Sequence, residues 1–202
     1  ELVVERIGAN AGTAGWRPQW RTEQSLAGGG ILVDHGTHLF YQLHALFGSP
    51  QSLSCRTERR LPGYSVDDTA QIELHYASGV ARLRLTWAGA ARHSTHRYRG
   101  ELGEIECVDD VIIVRSERGE RCIGFAEPLS KGSAHSDWFV PLLAGFADRI
   151  ARRDRRLDAL EEAVTVAAYI SHAYESAARD GEALAWRDPL AIPVTGSLAA
   201  AD

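Results

Sequence analysis

Residues 28–50 read Gly-Gly-Gly-Ile-Leu-Val-Asp-His-Gly-Thr-His-Leu-Phe-Tyr-Gln-Leu-His-Ala-Leu-Phe-Gly-Ser-Pro, and this segment carries the clearest structural signal in the chain. Its apolar residues recur at helical spacing from Ile31 to Phe47, and Gly48-Ser49-Pro50 is typical of a helix end. On a helical wheel, one face contains Leu32, Gly36, Leu39, Leu43, Leu46 and Phe47. We expect this face to be buried, with Gly36 at a close approach of two backbones.

The sequence after this helix is typical of antiparallel strands. Apolar and polar residues alternate over residues 70–87, and a turn near Ser78-Gly79 would align Glu73 with Arg84 on the polar face. Further strands are predicted at residues 1–7, 95–99, 103–108, 111–116, 121–125 and 183–186, and further helices at 136–153 and 158–179. This order predicts a single α+β domain over residues 1–190, with helices on one sheet face and a flexible tail over residues 191–202.

Composition excludes several classes of protein. The 202 residues carry a net charge of −5, and no apolar run approaches the roughly 18 residues of a membrane span. Net acidity argues against nucleic acid as a partner. Cys55, Cys107 and Cys122 show no CxxC spacing, which predicts reduced thiols in a cytoplasmic protein. The absence of methionine indicates that the sequence is not an intact translation product.

Asp34 and His38 are the strongest candidates for chemistry. They lie four residues apart on the predicted helix, where their side chains would be neighbours. A carboxylate beside an imidazole fixes the tautomer of the ring and makes it a better base. A structural interpretation remains open, in which Asp34 only caps the helix and His38 is solvated.

A metal site is the weaker alternative for the same segment. His35, His38 and Asp34 are close in sequence, but the wheel directs His35 about 60° from His38 and about 100° from Asp34. Histidines of metalloenzyme helices are typically four residues apart. We therefore expect no metal here.

Several motifs together resemble the C-terminal domain of the Gfo/Idh/MocA family of NAD(P)-dependent oxidoreductases. They are Trp20-Arg21, Gly28-Gly29-Gly30, Asp34-x-Gly36-x-His38, Leu46-Phe47-Gly48, Val66-Asp67-Asp68-Thr69-Ala70, Gly100-Glu-Leu-Gly103-Glu-Ile105 and Tyr174-Glu175-Ser176-Ala177. The resemblance extends to about Trp186. It implies a large, mostly antiparallel sheet with helices on one face, and a Rossmann domain that is absent from this chain.

The resemblance also implies residue roles. Asp34 and His38 match the acidic residue and the histidine that assist hydride transfer, with the histidine as the base. Trp20, Arg21 and Tyr41 are implied substrate-binding residues, although many members carry an acidic or amide residue where Tyr41 stands. The family's Glu-Lys-Pro segment is missing, and the single lysine, Lys131, does not match it.

These implications define the expected function. The chain would supply the substrate-binding and catalytic-base half of an NAD- or NADP-dependent dehydrogenase acting on a sugar or polyol hydroxyl. Its partners would be the missing Rossmann domain and further copies of the chain, joined through the sheet face away from the helices. The isolated chain would be inactive. The alternative is a non-catalytic binding or assembly module with the same fold.

Overall fold

A nine-stranded sheet forms the body of the structure, a computed structural model that describes residues 1–9, 20–125, 136–154 and 158–191. The strands are β1 (Leu2–Ile7), β2 (Ser52–Glu58), β3 (Thr69–Tyr76), β4 (Gly79–Thr86), β5 (Ala88–Gly100), β6 (Gly103–Val108), β7 (Val111–Ser116), β8 (Gly119–Gly124) and β9 (Leu184–Ala185). The helices are α1 (Gln24–Ala27), α2 (Thr37–Phe47), α3 (Ser136–Ala151) and α4 (Asp158–Ala177).

The sheet order is β8-β7-β6-β5-β1-β4-β3-β2-β9. Only β1 and β4 run parallel, and every other neighbouring pair is antiparallel. Helix α4 packs on β2, and α2 packs against α4 on the same face. The predicted α+β class, the mostly antiparallel sheet and the helices on one face are therefore confirmed. The predicted flexible tail lies outside the described residues from residue 192 onward.

The core lies between the sheet and helices α2 and α4. Alternate strand residues such as Leu83 and Leu85 are buried on the helix side, where Phe40 stacks on Tyr169 with ring centroids 5.2 Å apart. Two residues assigned to the core face of α2 by the sequence, Leu46 and Phe47, are instead about half exposed. The buried residues of α2 end at Leu43, so Leu46 and Phe47, in its last turn, lie at the margin of the core.

The hairpin of β3 and β4 forms in a different register from the predicted one. Tyr76 pairs with Gly79 across a two-residue turn, so Glu73 faces Arg82 rather than Arg84. The Arg82 guanidinium contacts the Glu73 carboxylate at 2.7 Å. A shift of two residues keeps every side chain on the same face, and the apolar pattern therefore could not distinguish the two registers.

The strand β2 was not predicted. Its sequence, Ser-Leu-Ser-Cys-Arg-Thr-Glu, contains small polar residues, and only Leu53 and Cys55 are buried. Burial raises the pKa of the Cys55 thiol to about 12, and the nearby charge of Asp67 adds to the effect. All three cysteines are free. No helix in the described part of the chain has the length and apolarity needed to cross a membrane.

Candidate functional site

The helix that carries Asp34 begins on a buried carboxylate from another part of the chain. Asp67 accepts hydrogen bonds from the backbone N–H groups of Gly30 (2.9 Å) and Leu32 (3.0 Å). The hydroxyl of Tyr174 donates to the same carboxylate at 2.7 Å. A carboxylate at this position satisfies N–H groups that have no partner within the helix, and it complements the positive end of the helix dipole.

The glycines of the Gly28-Gly29-Gly30 motif allow this close packing. A Cβ atom on Gly30 would lie 1.7 Å from the backbone oxygen of Asp67, and one on Gly29 would lie 2.4 Å from the hydroxyl of Tyr174. Burial raises the pKa of Tyr174, and the charge of Asp67 raises it further. Packing of the helix start against Asp67 and Tyr174 thus explains Gly29 and Gly30, whereas Gly28 adopts a left-handed backbone conformation with a φ of 74°.

Gly36 is required for a different reason from the one predicted. A Cβ atom there would lie 3.1 Å from Leu32, 3.5 Å from Ile170 and 3.6 Å from Leu85, and each of these contacts is to a side chain. The residue therefore lets α4 and β4 approach the helix through their side chains, and not through a backbone-to-backbone contact.

A π-helical turn, Leu32–Gly36, precedes α2 and alters the neighbours of Asp34. The Asp34 carboxylate lies 3.5 Å from Nε of Arg21 and 3.1 Å from Nδ1 of His35. Among the described residues, no ion pair within 4.0 Å joins Asp34 to His38. The predicted Asp34–His38 contact is therefore wrong, because a wider turn changes the i, i+4 geometry on which it was based.

Arg21 reaches this carboxylate from a short 3₁₀ turn, Trp20–Thr22. Its guanidinium carbon lies 5.1 Å from the centroid of the Trp20 ring, within the range of a cation–π contact. The carbonyl oxygen of Thr22 accepts a hydrogen bond from the backbone N–H of Ser65 at 2.9 Å, which ties the turn to the sheet side of the site. Two of the predicted substrate residues, Trp20 and Arg21, are thus held beside Asp34.

His35 was not predicted to take part, yet it is the histidine nearest to Asp34. Its ring lies edge-on to the buried Trp87, with centroids 6.5 Å apart, and this contact limits its movement. His38 and Tyr41 lie further along the helix and are exposed. Their predicted roles as base and substrate contact stay predictions.

The surroundings of Asp34 favour its charged form. Burial alone would raise the pKa of this carboxyl. The contact with His35 opposes that effect, and so do the positive charges of Arg21 and, when protonated, His38. Together they hold the pKa of Asp34 below its usual range, so that the side chain is a carboxylate at neutral pH.

We expect His35→Gln to raise the pKa of Asp34 more than His38→Gln does, because His35 is the histidine in contact. Titration of the Asp34 carboxyl carbon by NMR in the three proteins measures this. A depressed pKa stabilises the folded state above the unfolded-state pKa of about 3.9, and this stability is lost as the pH falls through the folded-state value. If the pKa of Asp34 rose more in His38→Gln than in His35→Gln, the result would support the Asp34–His38 contact after all.

Neither a metal-binding cluster nor a free helix start at Gly30 occurs in the described residues. They contain no group of three histidine, cysteine, aspartate or glutamate side chains that could hold a metal ion. A pyrophosphate needs free N–H groups at a glycine-rich helix start, but those of Gly30 and Leu32 already bind the Asp67 carboxylate. The residues of this helix start therefore do not fit NAD(P).

Several known structures share this fold. Levoglucosan dehydrogenase in complex with NADH and levoglucosan superposes with a TM-score of 0.73 at 19% identity, over 93% of this chain and 57% of that one. An oxidoreductase from Agrobacterium radiobacter, in complex with NAD⁺, L-tartaric acid and magnesium, gives 0.72 at 19% identity over 91% and 55%. An inositol dehydrogenase homologue from Azotobacter vinelandii, complexed with NAD⁺, gives 0.72 at 16% identity over 92% and 57%.

At these identities the likeness is one of fold, and the chain spans little more than half the length of each structure. An uncharacterised oxidoreductase of Schizosaccharomyces pombe is 40% identical over 60 residues, which are 29% of this chain and 16% of that protein. The family model for the GFO/IDH/MocA C-terminal domain matches residues 5–106, from β1 to β6. The chain belongs to the GFO/IDH/MocA C-terminal domain family.

Proposed function

We propose that the chain is the substrate-binding and catalytic-base half of an NAD(P)-dependent oxidoreductase that acts on a sugar- or polyol-like hydroxyl. The observation that carries the proposal is the cluster of Arg21, Asp34 and His35, which lies next to the exposed His38. The cluster combines a cation, a carboxylate and imidazole nitrogens, and these groups can bind several hydroxyls of one small molecule.

In this proposal His38 is the base that removes the proton from the substrate hydroxyl. It is exposed, and no described ion pair engages its ring, so the ring is accessible to a ligand. Asp34 remains charged and, with Arg21, orients the neighbouring hydroxyls of the substrate. Trp20 and Tyr41 would contact the apolar faces of the sugar ring. Removal of the proton by a positioned histidine contributes about 10²–10⁴-fold to such reactions.

NAD or NADP would supply the hydride acceptor, and a domain outside this chain would bind it. Two findings support this division. The helix start at Gly30 is already filled by Asp67, and this chain covers only 57% and 55% of two similar structures that contain NADH or NAD⁺. Similar structures are complexes with levoglucosan, L-sorbose or L-tartaric acid, which supports a polyhydroxylated substrate.

Calorimetry on the 202-residue chain tests the division of labour. We expect weak binding of levoglucosan or inositol, lost in Arg21→Ala, together with no binding of NAD(P) and no dehydrogenase turnover. The missing cofactor site explains the last two results, because holding the reactants together supplies about 7–11 kcal/mol of barrier lowering. Micromolar binding of NAD(P) to the isolated chain would contradict the proposed division.

The sheet face away from the helices is our proposed contact between copies of the chain. It carries a network in which Arg115 contacts Glu106 (2.9 Å), Glu104 (3.2 Å) and Glu120 (2.8 Å), while Arg97 contacts Glu106. These groups are partly exposed and would stay hydrated in an interface.

We expect association through this charged face to weaken with salt, because added ions screen contacts between exposed charges. Sedimentation velocity at about 0.05 M and 0.5 M salt measures the change, and Arg115→Gln should mimic high salt. An oligomer that is equally stable at both salt concentrations would place the contact on an apolar surface instead.

One observation favours the alternative, a binding or assembly module without catalysis. Helix α3 exposes more than half of each of its large apolar side chains, namely Trp138, Phe139, Val140, Leu142, Leu143, Phe146 and Ile150. Exposed apolar patches of this kind mark interaction surfaces. The two functions are compatible in a domain that both binds substrate and docks onto a larger protein.

A further inference from the structure

Arg6 of β1 brings a positive charge to the helix side of the sheet. In the parallel pairing of β1 with β4, Val4 lies beside the buried Leu85. Arg6 and Trp87 follow two residues further along these strands, so their side chains lie on the same face. The ring of Trp87 is the one that lies against His35. Arg6 is therefore on the same side of the sheet as the cluster that carries the proposed function.

A bulge in β5 positions the Arg6 side chain. Ile7 pairs with Ala88, whereas the residue before Arg6 pairs with His93, so residues 89–92 of β5 lie opposite Arg6 alone. The backbone of β5 is displaced there, and the carbonyl oxygen of His93 accepts a hydrogen bond from Nη1 of Arg6 at 2.9 Å. Bulges are frequent beside functional sites, where they redirect a side chain.

The hydrogen bonds of Arg6 leave one edge of its guanidinium open. Nη1 also donates to the carbonyl oxygen of Glu5 at 2.7 Å, and Oγ of Ser94 accepts from Nη1 and Nη2 at 3.2 and 3.1 Å. The second N–H of Nη2 and the N–H of Nε form the remaining edge of the planar group. Nε is buried and has no hydrogen-bond partner among the described residues. A buried donor of this kind destabilises the fold unless an acceptor meets it.

The charge of Arg6 is not paired either. In the described part of the chain, no carboxylate forms an ion pair with Arg6 within 4.0 Å. Burial lowers the pKa of Arg6 and the charge of Arg92 lowers it further, whereas the charges of Asp109 and Asp34 raise it. Asp109 is engaged with His93 at 3.4 Å, and Asp34 has the partners described above. Since arginine stays protonated at neutral pH, Arg6 is a partly buried cation without a counter-ion of its own.

We propose that Arg6 is a subsite for a carboxylate of the substrate, which makes a polyhydroxylated acid, such as a sugar acid, the substrate class. This inference rests on the proposed function, because it adds a second point of attachment to the cluster around Asp34. The two oxygens of a carboxylate lie in one plane and match the two nearly parallel N–H groups of the open edge. The hydroxyls of the same molecule would bind to Arg21 and Asp34.

Other ligands fit this edge less well. A hydroxyl of a neutral sugar can accept from one N–H group, but it leaves the partly buried charge of Arg6 without a counter-ion. A phosphate monoester carries about two negative charges, whereas Arg6 supplies one positive charge. Asp34 is itself a carboxylate on the same side of the sheet, and the charge of Arg21 is already opposite it. One negative charge at Arg6 therefore completes the charge balance of the site.

NMR and calorimetry on the 202-residue chain test the subsite. We expect D-glucuronate to shift the Arg6 Nε–H signal and to bind about tenfold or more tightly than D-glucose, which has the same ring hydroxyls without the carboxylate. Arg6→Gln should abolish this preference. Arg6→Lys keeps the charge but not the two-pronged edge, and should retain only part of the preference. Arg84 is exposed on the opposite face of β4, and Arg84→Gln is the matched control that should leave the preference unchanged.

Three results would overturn the carboxylate subsite. They are an Arg6 Nε–H signal that D-glucuronate does not shift, equal affinities for D-glucuronate and D-glucose, and tighter binding of D-glucose 6-phosphate than of D-glucuronate. If D-glucose binds in an Arg21-dependent manner and D-glucuronate binds no better, the proposed function survives and this inference fails. If D-glucuronate shifts the Arg6 signal and D-glucose does not bind, the subsite stands and the hydroxyl-binding role of the cluster fails. Circular dichroism confirms that each variant is folded.

Discussion

We expect His38→Ala to lower the rate of the chemical step by about 10²–10⁴-fold in a protein that joins this domain to its cofactor-binding partner. The reason is the loss of the only group that the proposal assigns to take the hydroxyl proton. Stopped-flow measurement of the reduced cofactor under single-turnover conditions isolates this step from binding and product release.

A second histidine provides the matched control for this experiment. His75 is partly exposed on the sheet face away from the helices, where Nε2 lies 2.8 Å from the Glu73 carboxylate. Its replacement by alanine removes a histidine to which the proposal assigns no role, and should leave the rate unchanged. A fully active His38→Ala protein would remove His38 from the mechanism and direct attention to His35.

The two histidines differ in a way that the rate can reveal. His35 contacts Asp34 and lies against Trp87, so its replacement disturbs the orientation of the carboxylate and raises KM more than it lowers kcat. His38 has no such contact among the described residues and would act on the reacting hydroxyl itself. Its loss should therefore lower kcat at nearly constant KM.

Much of the fold could be predicted from the sequence, because the periodicity of apolar residues is a local property of each strand and helix. The bounds of β6 and β7 agree with the alternation of their apolar residues, and α4 begins at the predicted residue. The hairpin register escaped prediction because it depends on which two residues form the turn. Strand β2 escaped because only two of its side chains, Leu53 and Cys55, are buried, and its pairing with β3 and β9 leaves no further pattern in its own sequence.

The candidate site was predictable in composition but not in geometry. The motif identified Asp34, Arg21 and Trp20, and the structure brings these residues together. The wheel assumed 3.6 residues per turn, whereas the helix around Asp34 is π-helical. For this reason His35, and not His38, contacts Asp34 in the structure. No local sequence pattern indicated this π-turn.

Asp67→Ala should cause the largest loss of stability in the site region, about 3–5 kcal/mol in the free energy of unfolding. The buried carboxylate accepts from Gly30, Leu32 and Tyr174, and alanine would leave all three donors without this partner. Urea unfolding followed by circular dichroism measures the change, and the melting temperature should fall by roughly 10 °C.

Two further variants separate the charge of Asp67 from its contacts. Tyr174→Phe removes only one donor and should lower the free energy of unfolding by about 1 kcal/mol. Asp67→Asn keeps the shape but directs an amide N–H toward a backbone N–H, so its effect should lie between the other two. If Asp67→Ala were no worse than Tyr174→Phe, the carboxylate would not be what fixes the start of the helix. The glycine motif would then need another explanation than its packing against Asp67.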